Sequence, residues 1–160
     1  MTTDSADLRT PRSWLLLAAF IVVVVGVGGL IGTQSIPGAW YQGLQKPPFN
    51  PPNWVFGPVW FTLYVMIGIA GWRIWMRDRA GMSMKLWIGQ MLLNWAWSPV
   101  WFIAQMLWPA FAIILVLLVL ILAFVATTWR GDRWAALLFV PYAAWVGFAS
   151  LLNLSIALLN

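Results

Sequence analysis

Long charge-free intervals constrain this chain more than any other feature. Its thirteen charged residues leave 33 uncharged positions between Arg12 and Lys46, 26 between Lys46 and Arg73, 44 between Lys85 and Arg130, and 27 after Arg133. A helix crossing the hydrocarbon core of a bilayer takes about 20 mostly apolar residues. Three intervals therefore hold one span each, and the longest holds two, divided at Trp108-Pro109. A closed barrel is the other way to satisfy backbone polar groups in lipid, but runs such as Ile113 to Val125 do not alternate as barrel strands do. The expected fold is all-α: an integral membrane bundle of five transmembrane helices at about 13–35, 52–76, 84–106, 109–129 and 133–158. They form a single domain, 13–160, behind a polar tail at 1–12.

Composition then removes whole classes of chemistry. The chain has no cysteine and no histidine, so disulfides, metal centres built on those ligands and imidazole acid–base catalysis are not expected. All four acids, Asp4, Asp7, Asp78 and Asp132, fall outside the spans, which removes the intramembrane carboxylate of proton-coupled pumps and any paired-carboxylate site. No resident cofactor is expected. The net charge of +5 reads as topology rather than as nucleic-acid binding. Arg9, Arg12, Arg73, Arg77, Arg79, Lys85, Arg130 and Arg133 gather on the face holding the N-terminus, and Lys46 stands alone on the other. Eight against one predicts the N-terminus inside and the C-terminus outside. The first span is long for a secretory signal and is read as retained.

Between the first two spans lies W-Y-Q-G-L-Q-K-P-P-F-N-P-P-N-W (40–54). Paired prolines fix φ and push the preceding residues toward extended geometry, so 46–52 is expected to be a stiff strap lying over the bundle like a lid. Asn50 is the expected N-cap of the next helix, with Pro51 or Pro52 its first residue. In the first span Gly28 and Gly32 form a G-x-x-x-G pair, a close-approach surface used within the bundle or across a dimer. In the third, Gln90, Asn94, Ser98, Trp101 and Gln105 step by three or four into a polar stripe that must face protein, and Pro99 is expected to kink the helix. The fourth span is almost purely aliphatic and reads as a lipid-facing wall.

Nine of the fourteen tryptophans, Trp14, Trp40, Trp54, Trp72, Trp75, Trp87, Trp108, Trp129 and Trp134, lie near span ends and fit an interfacial belt. Trp60, Trp95, Trp97, Trp101 and Trp145 do not. At about 1.5 Å per residue, Trp60, Trp97, Ser98, Trp145 and Ala149 all sit roughly 12–20 Å below the surface on the strap side. Two arrangements satisfy that layer: rings interlocked into a dry core, or a cavity for a flat, apolar guest. The cavity would be lined by Trp60, Tyr64, Asn94, Trp97, Ser98, Trp101, Tyr142, Trp145, Ala149 and Asn153, with Tyr41 and Lys46 above it. Lys46 would either meet a ligand carboxylate or snorkel to the interface.

The stretch Trp40-Tyr41-x-x-Leu44-x-Lys46-Pro47, followed by Pro51-Pro52-x-Trp54-x-Phe56-x-Pro58-Val59-Trp60-x-x-Leu63-Tyr64, resembles the signature of the TspO/MBR family of tryptophan-rich sensory and translocator proteins. Asn94-x-x-Trp97-x-Pro99, Pro141-Tyr142-x-x-Trp145 and Ala149-x-x-x-Asn153 resemble its third- and fifth-helix motifs. The resemblance implies a five-helix bundle, often a homodimer among membrane lipids, whose cavity binds porphyrins such as protoporphyrin IX for transport, buffering or signalling. It implies benzodiazepine-type drugs as further ligands, and it places ligand contacts at Tyr41, Trp60, Asn94, Trp97, Ser98, Trp145 and Ala149. Some members are linked to light-dependent porphyrin degradation, which would fall here to Trp60 and Trp145. A lipid or sterol carrier is a further alternative, but the end of the fifth span, L-L-N-L-S-I-A-L-L-N, lacks the Tyr and the Lys or Arg of the sterol pattern.

Overall fold

The computed structural model describes Leu8 and residues 10–160, so most of the tail expected at 1–12 lies outside the described residues. The elements are α1 (Pro11–Gln34), α2 (Ala39–Gly43), α3 (Asn53–Asp78), α4 (Met82–Ser98) running into a π-helical turn (Pro99–Ile103), α5 (Leu107–Thr128) and α6 (Arg133–Leu159). Four of these, α1, α3, α5 and α6, are each long and apolar enough to cross a membrane. The third expected span is α4 continued by the π turn, so five rods form the bundle if that interrupted pair counts as one. The chain is an all-helical, multi-pass integral membrane protein. In it α1 packs on α3, α5 lies between α4 and α6, and α3 closes against α6.

Local chemistry sets the ends. Thr10 caps α1 by accepting from the Ser13 N–H at 3.2 Å, with Pro11 in the first turn, where a missing N–H costs nothing. At α3 the expectation fails: the cap position is Pro52, without a side-chain bond, and the helix starts at Asn53. Asn50 instead accepts from the Tyr41 hydroxyl at 3.2 Å and donates to the Pro51 carbonyl at 3.1 Å. The extended Pro51-Pro52 pair holds it away from the helix start. Pro99 does not simply kink its helix. Having no N–H, it interrupts the α pattern, and its carbonyl accepts from Ala104 N–H at 2.9 Å, the wide spacing of a π turn. Gln105, expected in the polar stripe, follows that turn at φ 57° and is exposed.

Two readings of burial need correction. Only one face of α5 is a lipid wall; Ala110, Ile114, Leu117, Ile121, Phe124 and Thr128 form a buried face, and Phe124 meets Phe139 at 4.0 Å between ring centroids. Lipid and protein core are equally apolar, so an aliphatic helix carries no mark of which side faces in. Trp72 and Trp87, assigned to the interfacial belt, are 6% and 8% exposed and belong to the core. Trp87 donates its indole N–H to the Ile67 carbonyl at 3.0 Å and lies so close to Gly71 that a Cβ there would fall 2.4 Å from the ring. Proximity to a span end marked the depth of these rings but not their direction.

At the basic end Asp132 joins two helices. Its carboxylate takes Arg73 at 2.9 Å and Arg77 at 3.0 Å, both from α3, and caps α6 by accepting from Ala135 N–H at 3.1 Å. The Asp132 side chain is 1% exposed. Arg73 and Arg77 are themselves 18% and 52% exposed, so removing the carboxylate forfeits charge-assisted hydrogen bonds, about 1.5–3 kcal/mol, and the α6 cap. Asp132→Ala is therefore expected to lower the unfolding midpoint in detergent strongly. Asp132→Asn, which keeps a capping oxygen, should lie between it and the unsubstituted protein when both are followed by circular dichroism.

Candidate functional site

The layer expected beneath the strap is present and encloses space. A cavity of about 370 Å³ is walled by α1 and its cap (Val25, Gly28, Gly29, Gly32, Ser35), the connector with α2 that precedes the strap (Ile36, Pro37, Tyr41), α3 (Asn53, Phe56, Gly57, Trp60, Phe61, Tyr64), α4 with its π turn (Trp97, Ser98, Trp101, Phe102) and α6 (Trp145, Ala149, Leu152, Asn153, Ile156). That volume is in the range of small-molecule sites. The π turn shapes one wall: Trp97 and Trp101 stack with planes 15° apart and centroids 5.8 Å apart, and Phe102 stands edge-on to both. Across the space Trp60 tilts against Tyr64 at 5.4 Å, and Phe56 meets Trp145 edge-on at 5.8 Å.

Nine of the twelve residues expected at the site line this cavity: Tyr41, Trp60, Tyr64, Trp97, Ser98, Trp101, Trp145, Ala149 and Asn153. Lys46, Asn94 and Tyr142 do not. Lys46 turns back on its own loop, donating to the carbonyls of Gln42 at 3.2 Å and Leu44 at 3.1 Å with its ammonium 4.7 Å from the Tyr41 ring centre. Its charge is spent locally. Asn94 and Tyr142 lie below the floor in a continuous hydrogen-bond chain. Tyr64 Oη donates to Asn94 Oδ1 (3.1 Å), Asn94 Nδ2 to Tyr142 Oη (2.8 Å), Tyr142 Oη to Gln90 Oε1 (2.9 Å), and Gln90 Nε2 to the Trp87 carbonyl (2.9 Å). The chain ties α3, α4 and α6 at one level, and Tyr64 is the member that reaches the cavity.

The cover also differs from the expected lid. Its first half, with Ile36, Pro37 and Tyr41, closes the chamber, and α2 makes one short helix there that the prolines downstream did not reveal. The proline run lies over α6 instead: Phe49 packs on Phe148 at 6.3 Å, and Gln45 exchanges two hydrogen bonds with Asn160 at 2.9 and 3.0 Å. Burial pushes the Tyr41 phenol above its ordinary pKa. Trp97 Nε1 donates to Asn153 Oδ1 at 3.2 Å, and Asn153 Nδ2 reaches the Leu107 carbonyl at 3.3 Å. The Trp145 N–H, by contrast, is buried without a protein acceptor.

Sequence reasoning missed the α1 wall. Val25, Gly28, Gly32 and Ser35 recur at steps of three or four, a signal that the G-x-x-x-G reading absorbed. The two glycines do different work. A Cβ on Gly28 would lie 2.2 Å from the Tyr64 ring, so its smallness seats Tyr64 within the bundle, while Gly32 faces the open chamber.

Apolar helices closed around an aromatic chamber define a multi-pass membrane protein with an internal cavity. Residues 16–159 match the sequence profile of the TspO/MBR family. The translocator protein of Ovis aries is 40% identical over 150 residues, covering 88% of this chain and 87% of its own length. The tryptophan-rich sensory protein of Cereibacter sphaeroides is 32% identical over 147 residues, covering 92% of both chains. The tryptophan-rich protein TspO of Chlorobaculum tepidum is 35% identical over 151, covering 91% of this chain and 95% of its own. The chain belongs to the TspO/MBR family.

Tyr142→Phe removes the middle of the floor chain and leaves the Asn94 amide and the Gln90 carbonyl oxygen unpaired in a dry site, a cost of about 1–3 kcal/mol. Thermal unfolding in detergent should show a larger drop for Tyr142→Phe than for Tyr64→Phe, which deletes only the terminal donor. Equal drops would mean the chain does not act as a unit.

Proposed function

We propose that this translocator- and sensor-type membrane protein binds tetrapyrroles of the protoporphyrin IX kind in the chamber beneath α2 and the residues leading into it. The observation that carries the reading is the lining itself. The stacked Trp97–Trp101 pair, Trp60, Trp145 and three phenylalanines surround a mainly apolar space, on whose wall the Trp97 N–H is tied to Asn153. Ring faces of this kind favour a broad conjugated guest through buried area and offset stacking. Lys46 is occupied by its own loop, so ligand carboxylates would point to the water side of the cover rather than to a dedicated cation. The basic clustering at the opposite end supports an N-terminus inside, with the chamber nearer the outer surface.

A second reading shares the site. Trp60 and Trp145 both form its walls, and an indole against an illuminated porphyrin can pass an electron with molecular oxygen as the final acceptor. The aqueous acid–base groups of hydrolytic enzymes have no counterpart among the wall residues.

Titrating the purified protein with protoporphyrin IX in the dark should give saturable tryptophan quenching. Ala149→Phe, which fills the α6 wall, should weaken it by about tenfold, roughly 1.4 kcal/mol. Unchanged quenching in that variant would place the porphyrin elsewhere. Under illumination, absorption bands that bleach with the unsubstituted protein and persist with Trp145→Phe would favour the degradative reading.

A further inference from the structure

We infer that the outer seam between α3 and α6 is a binding site for a phospholipid acyl chain, separated from the inner chamber by the thickness of one side chain, Trp145. The seam is a groove lined by Pro58, Thr62, Met66, Pro141, Trp145 and Phe148, among others. Two of its lining residues are prolines inside α3 and α6. Each lacks the N–H of a helical hydrogen bond and presses its ring on the preceding turn. Pro58 to Met66 lie about 8–20 Å along α3 from its strap-side end, which is hydrocarbon depth for a spanning helix. The hydroxyl of Thr62 is turned back onto the Pro58 carbonyl at 2.9 Å and the Trp145 N–H is buried, so the groove presents little polar surface to a headgroup, a peptide or water. Its surroundings at that depth are acyl chains, and a concave apolar surface takes one of them in preference to leaving space.

Trp145 makes the groove more than an irregularity. The same indole lines both the groove and the chamber. Phe56, a chamber residue, packs on it edge-on at 5.8 Å, and Phe148, a groove residue, lies against it at 5.7 Å. Its N–H has no protein acceptor holding the ring in place. The partition is therefore held by packing alone, and an acyl chain seated outside it bears on the wall against which an inner guest would stack. This inference does not require that the guest be a tetrapyrrole.

The test uses the full-length protein in bilayers doped with a phospholipid carrying a diazirine midway along one chain, with adducts mapped by mass spectrometry. In the unsubstituted protein, adducts should be enriched severalfold on the Pro58–Met66 and Pro141–Phe148 segments relative to Val116 and Val119, which α5 exposes to the same lipid. Trp145→Ala should add a new set on Trp60, Trp97 and Trp101 inside the chamber, and Trp145→Phe, which keeps a ring in the wall, should not. Adducts spread evenly over exposed residues of α3, α5 and α6 would overturn the site. An identical map for Trp145→Ala and Trp145→Phe would overturn the partition. Should Trp145→Ala fail to fold, Trp145→Leu thins the same wall, and the unsubstituted map tests the groove by itself. No porphyrin is present, so failure here is distinct from failure of the quenching titration.

Discussion

Everything in the upper half of this bundle is referred to the hydrogen-bond chain Tyr64–Asn94–Tyr142–Gln90. In hydrocarbon a polar side chain has no water to fall back on, so its partners decide where its helix sits. Four polar groups from α3, α4 and α6 satisfy one another and the Trp87 carbonyl end to end, and only one vertical register of the three helices allows that. Tyr142 is wholly buried, which leaves the register little room to slip. Above the chain the helices separate and the chamber opens; below it Ile67, Met91, Phe124 and Phe139 close into a dry core. The boundary between packed and hollow is thus a polar one.

The π turn at Pro99 has a similar structural logic. A regular α-helix would carry Trp97 and Trp101 on neighbouring turns, and the extra residue per turn instead lets the two indoles lie nearly parallel, 15° apart. The Pro99 carbonyl is still satisfied, by the Ala104 N–H at 2.9 Å. A proline that reads in the sequence as a kink therefore serves as a way of turning a helix wall into a flat aromatic plate. Its consequence downstream is the left-handed Gln105, which ends the rod before the next span begins.

What was legible in the residues follows from which signals survive in lipid. Charge spacing identified the spans because a charge in hydrocarbon is costly whatever its neighbours, and the aromatic layer was legible because depth scales simply with residue number. Direction was not. Trp72, Trp87 and the inner face of α5 were misplaced because apolar side chains look alike whether they face lipid or protein. Lys46 was misplaced for another reason: a loop can fold back to use its own carbonyls, and no periodicity announces it. Asp132 was passed over because it lies outside the spans by composition, yet at the bundle end it is buried between two arginines and a helix terminus.

A chamber inside a membrane protein faces a requirement that a soluble pocket does not. Polar atoms placed on its walls to greet a ligand would, without water, be strained whenever the ligand is absent. Here several are tied to protein partners, some of them outside the chamber: Trp97 with Asn153, Asn153 with the Leu107 carbonyl, Tyr41 with Asn50, and Tyr64 with Asn94, while Ser35 Oγ and Trp145 Nε1 stay unpaired. What remains for a guest is mainly ring faces. Selection by such a wall rests on shape and flatness more than on charge, and the wall can be thin. At Trp145 a single indole divides the chamber from the membrane groove, and its freedom from any protein acceptor is what allows both sides to act on it.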